Sequence, residues 1–153
     1  MNVKRTMVGV VGSQQATPAQ EKLARETGQR IAKEGWILVN GGLGGVMEAS
    51  AKGAAEAGGV VVGIVPGPTT DEANRHVTIP IATNMGYARN MIIVHTADCL
   101  IAVGGETGTL SEIAAGLKLK KLVVGLESWK IPGMTEVRTP EEAIGMIKNG
   151  NRN

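Results

Sequence analysis

Three turns rich in glycine each follow an apolar run, and each could bind an anion through its backbone. The turns are Gly12-Ser13, Gly41–Gly45 and Gly104–Thr109. Free N–H groups, with the positive end of the dipole of a following helix, are suited to holding phosphate. For any one turn, tight bending and close helix–sheet packing is the alternative interpretation. Three such turns favour a ligand site, and the predicted contact residues are Gly12, Ser13, Gly41, Gly42, Gly44, Gly45, Met47, Gly104, Gly105, Thr107, Gly108 and Thr109.

Two charged side chains, Arg89 and Glu112, could act on a phosphorylated ligand. The planar guanidinium of Arg89 suits a bidentate contact with phosphate, and a solvated charge at a helix start is the alternative. Glu112 follows Thr109 at the spacing of a capping box, with Thr109 as N-cap. If Glu112 is functional instead, it should face a sugar, because a carboxylate repels phosphate; there it would assist an oxocarbenium-like centre.

Several common sites are excluded by their patterns. No Lys follows any of the three turns, so the phosphate loop of ATPases and GTPases is absent. Met47 occupies the third glycine position of a dinucleotide fingerprint, and Ile64-Val65-Pro66 stands where a ribose-binding acid would follow. The chain has no G-x-S-x-G elbow. His76 and His95 lack partners at ligand spacing, so no metal site is expected.

Apolar runs alternate with segments of helical periodicity, which predicts βαβ units with right-handed crossovers. We therefore predict one domain over residues 1–153, a doubly wound, Rossmann-like α/β fold whose parallel sheet carries helices on both faces. The predicted strands are Met7–Val11, Trp36–Asn40, Val60–Val65, Cys99–Val103, Leu122–Leu126 and a short Val77–Ile79. The predicted helices begin at Pro18, at Val46, at Gly86, near Leu110 and at Pro140.

The composition excludes further classes of protein. Sixteen basic and fourteen acidic residues balance too closely for an electrostatic grip on nucleic acid, and three aromatic residues offer no stacking platform. No apolar stretch reaches the length of a membrane span, and no signal peptide is recognisable, so a cytoplasmic location is expected. The lone Cys99 is expected in the core, and Met47, Met85 and Met91 in the core or lining the pocket.

The segment Gly104-Gly-Glu-Thr-Gly-Thr-Leu-Ser-Glu112 resembles the P-G-G-x-G-T-x-x-E signature of the LOG ("lonely guy") phosphoribohydrolases. Arg89 and Gly41–Met47 match the same pattern, and the resemblance spans roughly residues 7–126. Val103 replaces the signature proline, and Tyr87-Ala-Arg-Asn90 replaces the M-H-x-R-K of the hydrolases. At both places the sequence resembles that of the short molybdenum-cofactor carrier proteins. That branch is distantly akin to DNA-processing protein A.

The resemblance implies the fold and a phosphate site, and it leaves two functions open. The first is a protein that binds a phosphorylated nucleotide-type molecule, such as the molybdenum cofactor or a nucleoside monophosphate, without turning it over. The second is an enzyme that releases free base and ribose 5-phosphate from a nucleoside 5′-monophosphate, with Arg89 and Glu112 as catalytic residues. The resemblance also implies a homo-oligomer, a dimer or tetramer, and Ala49, Ala54 and Met91 are expected on helical faces that pack between subunits.

Overall fold

The computed structural model describes residues 4–151, and its strands form one seven-stranded sheet. The strands are β1 (Met7–Gly12), β2 (Ile37–Asn40), β3 (Val60–Val65), β4 (Ile79–Ala82), β5 (Cys99–Val103), β6 (Val123–Leu126) and β7 (Thr135–Val137). The helices are α1 (Pro18–Lys33), α2 (Val46–Glu56), α3 (Arg89–Thr96), α4 (Thr107–Lys118) and α5 (Pro140–Gly150). A short 3₁₀ turn, Gly86–Ala88, precedes α3.

The strand order is β4-β3-β2-β1-β5-β6-β7, and every pairing is parallel. β1 pairs with β2 on one side and β5 on the other, so Val8 lies opposite both Leu38 and Cys99. The chain therefore winds outward in two directions from β1. This order confirms the doubly wound α/β class, and it places a crevice at the carboxyl ends of β1 and β5.

Helices cover both faces of the sheet and create two separate cores. Ala24 of α1, Ala51 of α2 and Ile144 of α5 belong to one apolar cluster. Ile93 of α3 and Ile113 of α4 belong to the other. Cys99 is buried in the first cluster, as expected, and burial raises the pKa of its thiol to about 12. The strands are apolar on both faces because each face is covered.

The helices differ in how they begin. Thr17 caps α1 and Thr139 caps α5, and in each case the threonine hydroxyl accepts a hydrogen bond from the helix backbone. In α2, α3 and α4 the N-cap residue makes no side-chain hydrogen bond. These three helices begin at the edge of the sheet where the crevice lies.

The structure corrects several details of the predicted elements. The short strand begins at Ile79 rather than Val77, and Pro80 is tolerated there because β4 is an edge strand. Strand β7 was not predicted, since three residues are too few to show alternation. The helix expected from Gly86 begins as a 3₁₀ turn and becomes α-helical only at Arg89.

None of the helices between residues 4 and 151 combines the length and apolar character needed to cross a membrane.

Candidate functional site

A cavity of about 1080 Å³ lies at the carboxyl edge of the sheet. The ends of β1 and β2 form its floor, and the first turns of α3 and α4 form its walls. Nine predicted ligand or catalytic residues line it: Gly12, Ser13, Gly41, Met47, Arg89, Thr107, Gly108, Thr109 and Glu112. The topology thus brings residues that are up to a hundred positions apart into one space.

Five predicted residues do not line the cavity: Gly42, Gly44, Gly45, Gly104 and Gly105. These glycines belong to the turns after β2 and β5 but do not face the cavity. Gly105 has φ +112, and a Cβ there would lie 2.5 Å from the Thr109 side chain, so only glycine fits. A Cβ on Gly42 would lie 2.6 Å from Val65 Cγ1.

Arg89 is buried, with 7% of its surface exposed, which excludes the solvated-charge alternative. Its Nε donates to the Ile64 carbonyl over 2.9 Å, and Nη2 lies 3.5 Å from the Gly41 carbonyl. Nη1 donates to Asn90 Oδ1. Burial lowers the pKa of the guanidinium, while the charges of Glu112 and Glu72 act in the opposite direction. Arg89 therefore ties the ends of β2 and β3 together at the cavity.

Glu112 is also 7% exposed and lies on the inner face of α4. Burial raises the pKa of its carboxyl to about 8, and the nearby positive charge of Arg89 only partly opposes this. No hydrogen bond to another group within residues 4–151 stabilises the ionised form. The side chain is therefore predominantly neutral at pH 7, where it can donate a hydrogen bond as well as accept one.

The capping-box interpretation of Thr109 and Glu112 is wrong. Helix α4 begins at Thr107, its N-cap residue is Glu106, and Thr109 lies inside the first turn, buried. The N–H groups of Thr107, Gly108 and Thr109 find no acceptor within the described part of the chain. A helix normally satisfies these groups with a cap or a ligand. All three residues line the cavity.

The turn after β2 is held by amide side chains. Asn40 accepts a hydrogen bond from the Gly42 N–H over 2.9 Å and donates to the Met47 carbonyl over 2.9 Å. Asn74 donates to the carbonyls of Gly42 and Leu43 over 3.2 and 2.9 Å. These bonds fix the backbone of the turn from the side away from the ligand space.

Sequence reasoning missed several residues of the cavity. These are Gln14, Gln15, Leu43, Pro66, Gly86, Tyr87, Asn90, Glu106 and Ser111. Gln14 and Gln15 directly follow the predicted contact residue Ser13, so their proximity to a strand end was a usable signal. Tyr87 is 89% exposed at the rim; it opens the segment Tyr87–Asn90 that was compared with the hydrolase motif, but it was not predicted to contact a ligand.

The remaining candidates have structural or surface positions. Met47 lines the cavity, but Met85 and Met91 are 52% and 37% exposed, which corrects the expectation for both. Ala54 is buried against the first core and cannot contact another subunit. Within residues 4–151, no three His, Cys, Asp or Glu side chains gather where they could hold a metal ion.

Comparison with known proteins gives one family match and several close relatives. The model of the SLOG cluster4 family matches residues 5–151. An uncharacterized protein of Archaeoglobus fulgidus is 50% identical over 143 residues, covering 93% of this chain and 94% of that protein. The molybdenum cofactor binding protein of Rippkaea orientalis is 38% identical, with a TM-score of 0.92 over 97% of this chain and 98% of that one. The molybdenum cofactor carrier protein of Chlamydomonas reinhardtii is 35% identical, with a TM-score of 0.90 over 98% and 100%.

Two more distant similarities complete the comparison. A cytokinin riboside 5′-monophosphate phosphoribohydrolase of Mycobacterium tuberculosis is 35% identical over 95 residues, which are 60% of this chain and 51% of that protein. DNA processing protein A of Streptococcus pneumoniae is 16% identical, with a TM-score of 0.75 over 92% of this chain and 61% of that one, and shows a likeness of fold alone. Together the findings confirm the resemblance to the LOG-like superfamily and its carrier-like branch.

Proposed function

The chain belongs to the SLOG cluster4 family, and we propose that it binds a phosphorylated, nucleotide-type small molecule as a carrier, with the molybdenum cofactor as its cargo. One observation carries the proposal: the uncapped N-terminus of α4 opens into a cavity of about 1080 Å³. The similarity over nearly full length to two proteins named for molybdenum cofactor binding or carrying supports the choice of cargo.

The proposed phosphate position is the first turn of α4. The N–H groups of Thr107, Gly108 and Thr109 lack acceptors in the described chain, and the positive end of the helix dipole favours an anion. Arg89 adds a positive charge to the same cavity. Because burial raises the pKa of Glu112 to about 8, its carboxyl opposes an anion less than an ordinary glutamate would at pH 7, and the carboxylate of Glu106, which also lines the cavity, is exposed to solvent.

The cavity also suits the remainder of such a cargo. Ligand pockets commonly measure roughly 300–1,000 Å³, so there is room for a fused ring system beside a phosphate ester. The amides of Gln14, Gln15 and Asn90 offer donors and acceptors for the edge of a heterocycle. Cys99 lies in β5 inside the core and does not line the cavity.

Hydrolysis of a nucleoside 5′-monophosphate is the second candidate. It is favoured by the position of Arg89 and Glu112 on one cavity, and by the partial match to a phosphoribohydrolase. An oxocarbenium-like transition state would gain most from an ionised carboxylate. The raised pKa of Glu112 keeps most molecules protonated at pH 7, a state suited to protonating a leaving base rather than to stabilising an oxocarbenium-like centre.

Calorimetry with inorganic phosphate, AMP and the molybdenum cofactor, together with chromatographic detection of free base, separates the candidates. The carrier proposal expects binding, competition between phosphate and the larger ligands, and no base release from any monophosphate. Release of base would establish the hydrolase if Glu112→Gln lowers the rate by on the order of 10²–10³. If none of the three ligands binds the wild-type protein, the proposal is refuted.

We also propose that the protein is a homo-oligomer whose copies pack on a surface beside β4. An apolar surface, here called the β4 edge, is formed by Ile79, Ile81, Met85, Tyr87 and Met91, which are 37–89% exposed. Exposed apolar patches commonly mark interaction sites, and an edge strand has unpaired backbone groups. The β4 edge borders the cavity through Tyr87. A second copy packed there would bring two cavities close to one interface.

A further inference from the structure

The connection between β6 and β7 touches the ligand turn from outside the cavity. Ser128 Oγ donates to the Gly104 carbonyl over 2.6 Å, and Trp129 Nε1 donates to the Glu106 carbonyl over 3.2 Å. Neither Ser128 nor Trp129 lines the cavity. Two consecutive side chains therefore hold two carbonyls of the turn that precedes α4.

Planarity of the peptide unit gives these bonds a consequence inside the cavity. In a trans peptide the C=O and the following N–H point in opposite directions. A bond to the Gly104 carbonyl thus orients the Gly105 N–H. The Glu106 carbonyl accepts hydrogen bonds from Trp129 and, over 3.0 Å, from the Leu110 N–H, and the two bonds together orient the Thr107 N–H. Each carbonyl is drawn towards the β6–β7 connection, so each N–H is turned away from it. Thr107 is one of the residues that line the cavity.

The backbone before these two residues adopts an uncommon conformation. Glu127 has φ +48, in the left-handed region that side-chain-bearing residues rarely occupy. A residue held there costs folding free energy, and the conformation persists only where neighbouring contacts over-determine it. The conformation redirects the chain as it leaves β6, and the next two residues are those that reach the turn.

The other glycine-rich turn is held in the same way. Asn74 belongs to the connection between β3 and β4 and does not line the cavity. Its side chain donates to the carbonyls of Gly42 and Leu43. Both turns are thus held through their carbonyls by side chains that approach from outside the ligand space.

We propose that Ser128 and Trp129 are positioning residues: Trp129 pre-orients the Thr107 N–H for a phosphate at the cavity, and Ser128 fixes the Gly104–Gly105 peptide unit of the turn that leads into it. The inference rests on the proposed function, since it assigns these residues to the same anion site. Pre-orientation matters because a flexible turn would have to lose conformational entropy when the ligand binds. The two residues act through the turn and do not touch the ligand.

Trp129→Phe and Ser128→Ala test the proposal, because each removes one donor and keeps most of the side chain. Trp129 is 38% exposed, so the change to Phe leaves the core intact. Trp36→Phe is the matched control: it removes the other indole, which makes no hydrogen bond in the described chain and packs against the first core. Inorganic phosphate and AMP are the probes, and affinity is measured by calorimetry.

We expect Trp129→Phe and Ser128→Ala each to weaken phosphate binding by about three- to tenfold, the effect of one lost hydrogen bond. Trp36→Phe should leave the affinity unchanged. A second readout uses the Trp36→Phe protein, whose only indole N–H resonance belongs to Trp129. That resonance should shift on phosphate saturation, and a purely structural role would leave it in place.

The possible results are distinguishable. A phosphate affinity equal to that of the wild type in both Trp129→Phe and Ser128→Ala would overturn the inference and leave the proposed function standing. An indole N–H resonance that does not shift at saturating phosphate would do the same. A wild-type protein that binds neither probe would overturn the proposed function and this inference with it. If Ser128→Ala fails to fold, Trp129→Phe and the resonance still decide the question.

Discussion

Replacing Glu112 with Gln is expected to remove a loss of stability that the wild-type protein shows as pH rises. The Glu112 carboxyl has a usual pKa of 4.5, and burial raises it to about 8 in the folded chain. Between these values the unfolded chain releases the proton and the folded chain keeps it. The contribution of Glu112 to the free energy of unfolding is therefore highest below about pH 4.5, falls as pH rises towards 8, and stays level above that. At 1.36 kcal/mol per pKa unit, the full change is about 5 kcal/mol.

Urea unfolding at a series of pH values between about 4 and 9 measures this effect. Gln has nearly the same shape as the protonated carboxyl but does not titrate, so the two proteins should be similarly stable at the acidic end. At the alkaline end, the free energy of unfolding of the variant should exceed that of the wild type by several kcal/mol. Glu106→Gln removes an exposed carboxylate from the same cavity and controls for a change in net charge. Parallel pH profiles for wild type and Glu112→Gln would refute the assignment of a neutral, buried carboxyl.

Three further changes test other parts of the structure. The Gly108→Val protein should fold, because a Cβ there meets only Asn90 Nδ2 at 3.9 Å, but its phosphate affinity by calorimetry should fall at least tenfold. Gly145→Val, in α5 where a Cβ has nothing within 4 Å, is the control, and an equal loss of affinity there would contradict the site. Arg89→Met should destabilise the protein by roughly 1–3 kcal/mol in urea unfolding, because buried carbonyls at the ends of β2 and β3 lose a hydrogen-bond donor. A normal midpoint would count against that role. Ile81→Asp should lower the mass found by light scattering if copies pair at the β4 edge, and an unchanged oligomer would exclude that edge.

Local patterns in the sequence were sufficient for the parallel sheet and for the general place of the site. The apolar run Cys99–Val103 and, apart from the half-buried Met7, the run Met7–Val11 are buried on both faces, as central parallel strands require. Glycines directly after such strands predicted turns that feed helices, and Thr17-Pro18 and Thr139-Pro140 predicted the starts of α1 and α5 correctly. These features depend on residues within a few positions of one another, so they can be recognised without knowing the fold.

The tertiary structure decided what the site residues do. The pattern Thr109-x-x-Glu112 suggested a cap, but the turn at Gly105 lets α4 begin three residues earlier and places both side chains in the interior. The charge state of Glu112 depends on burial and on Arg89, which is 23 residues away in the chain. The bonds from Ser128 and Trp129 to the turn before α4 span more than twenty positions. The free energy of a buried charge or donor is set by whatever surrounds it in space, and a local sequence pattern carries no information about those neighbours.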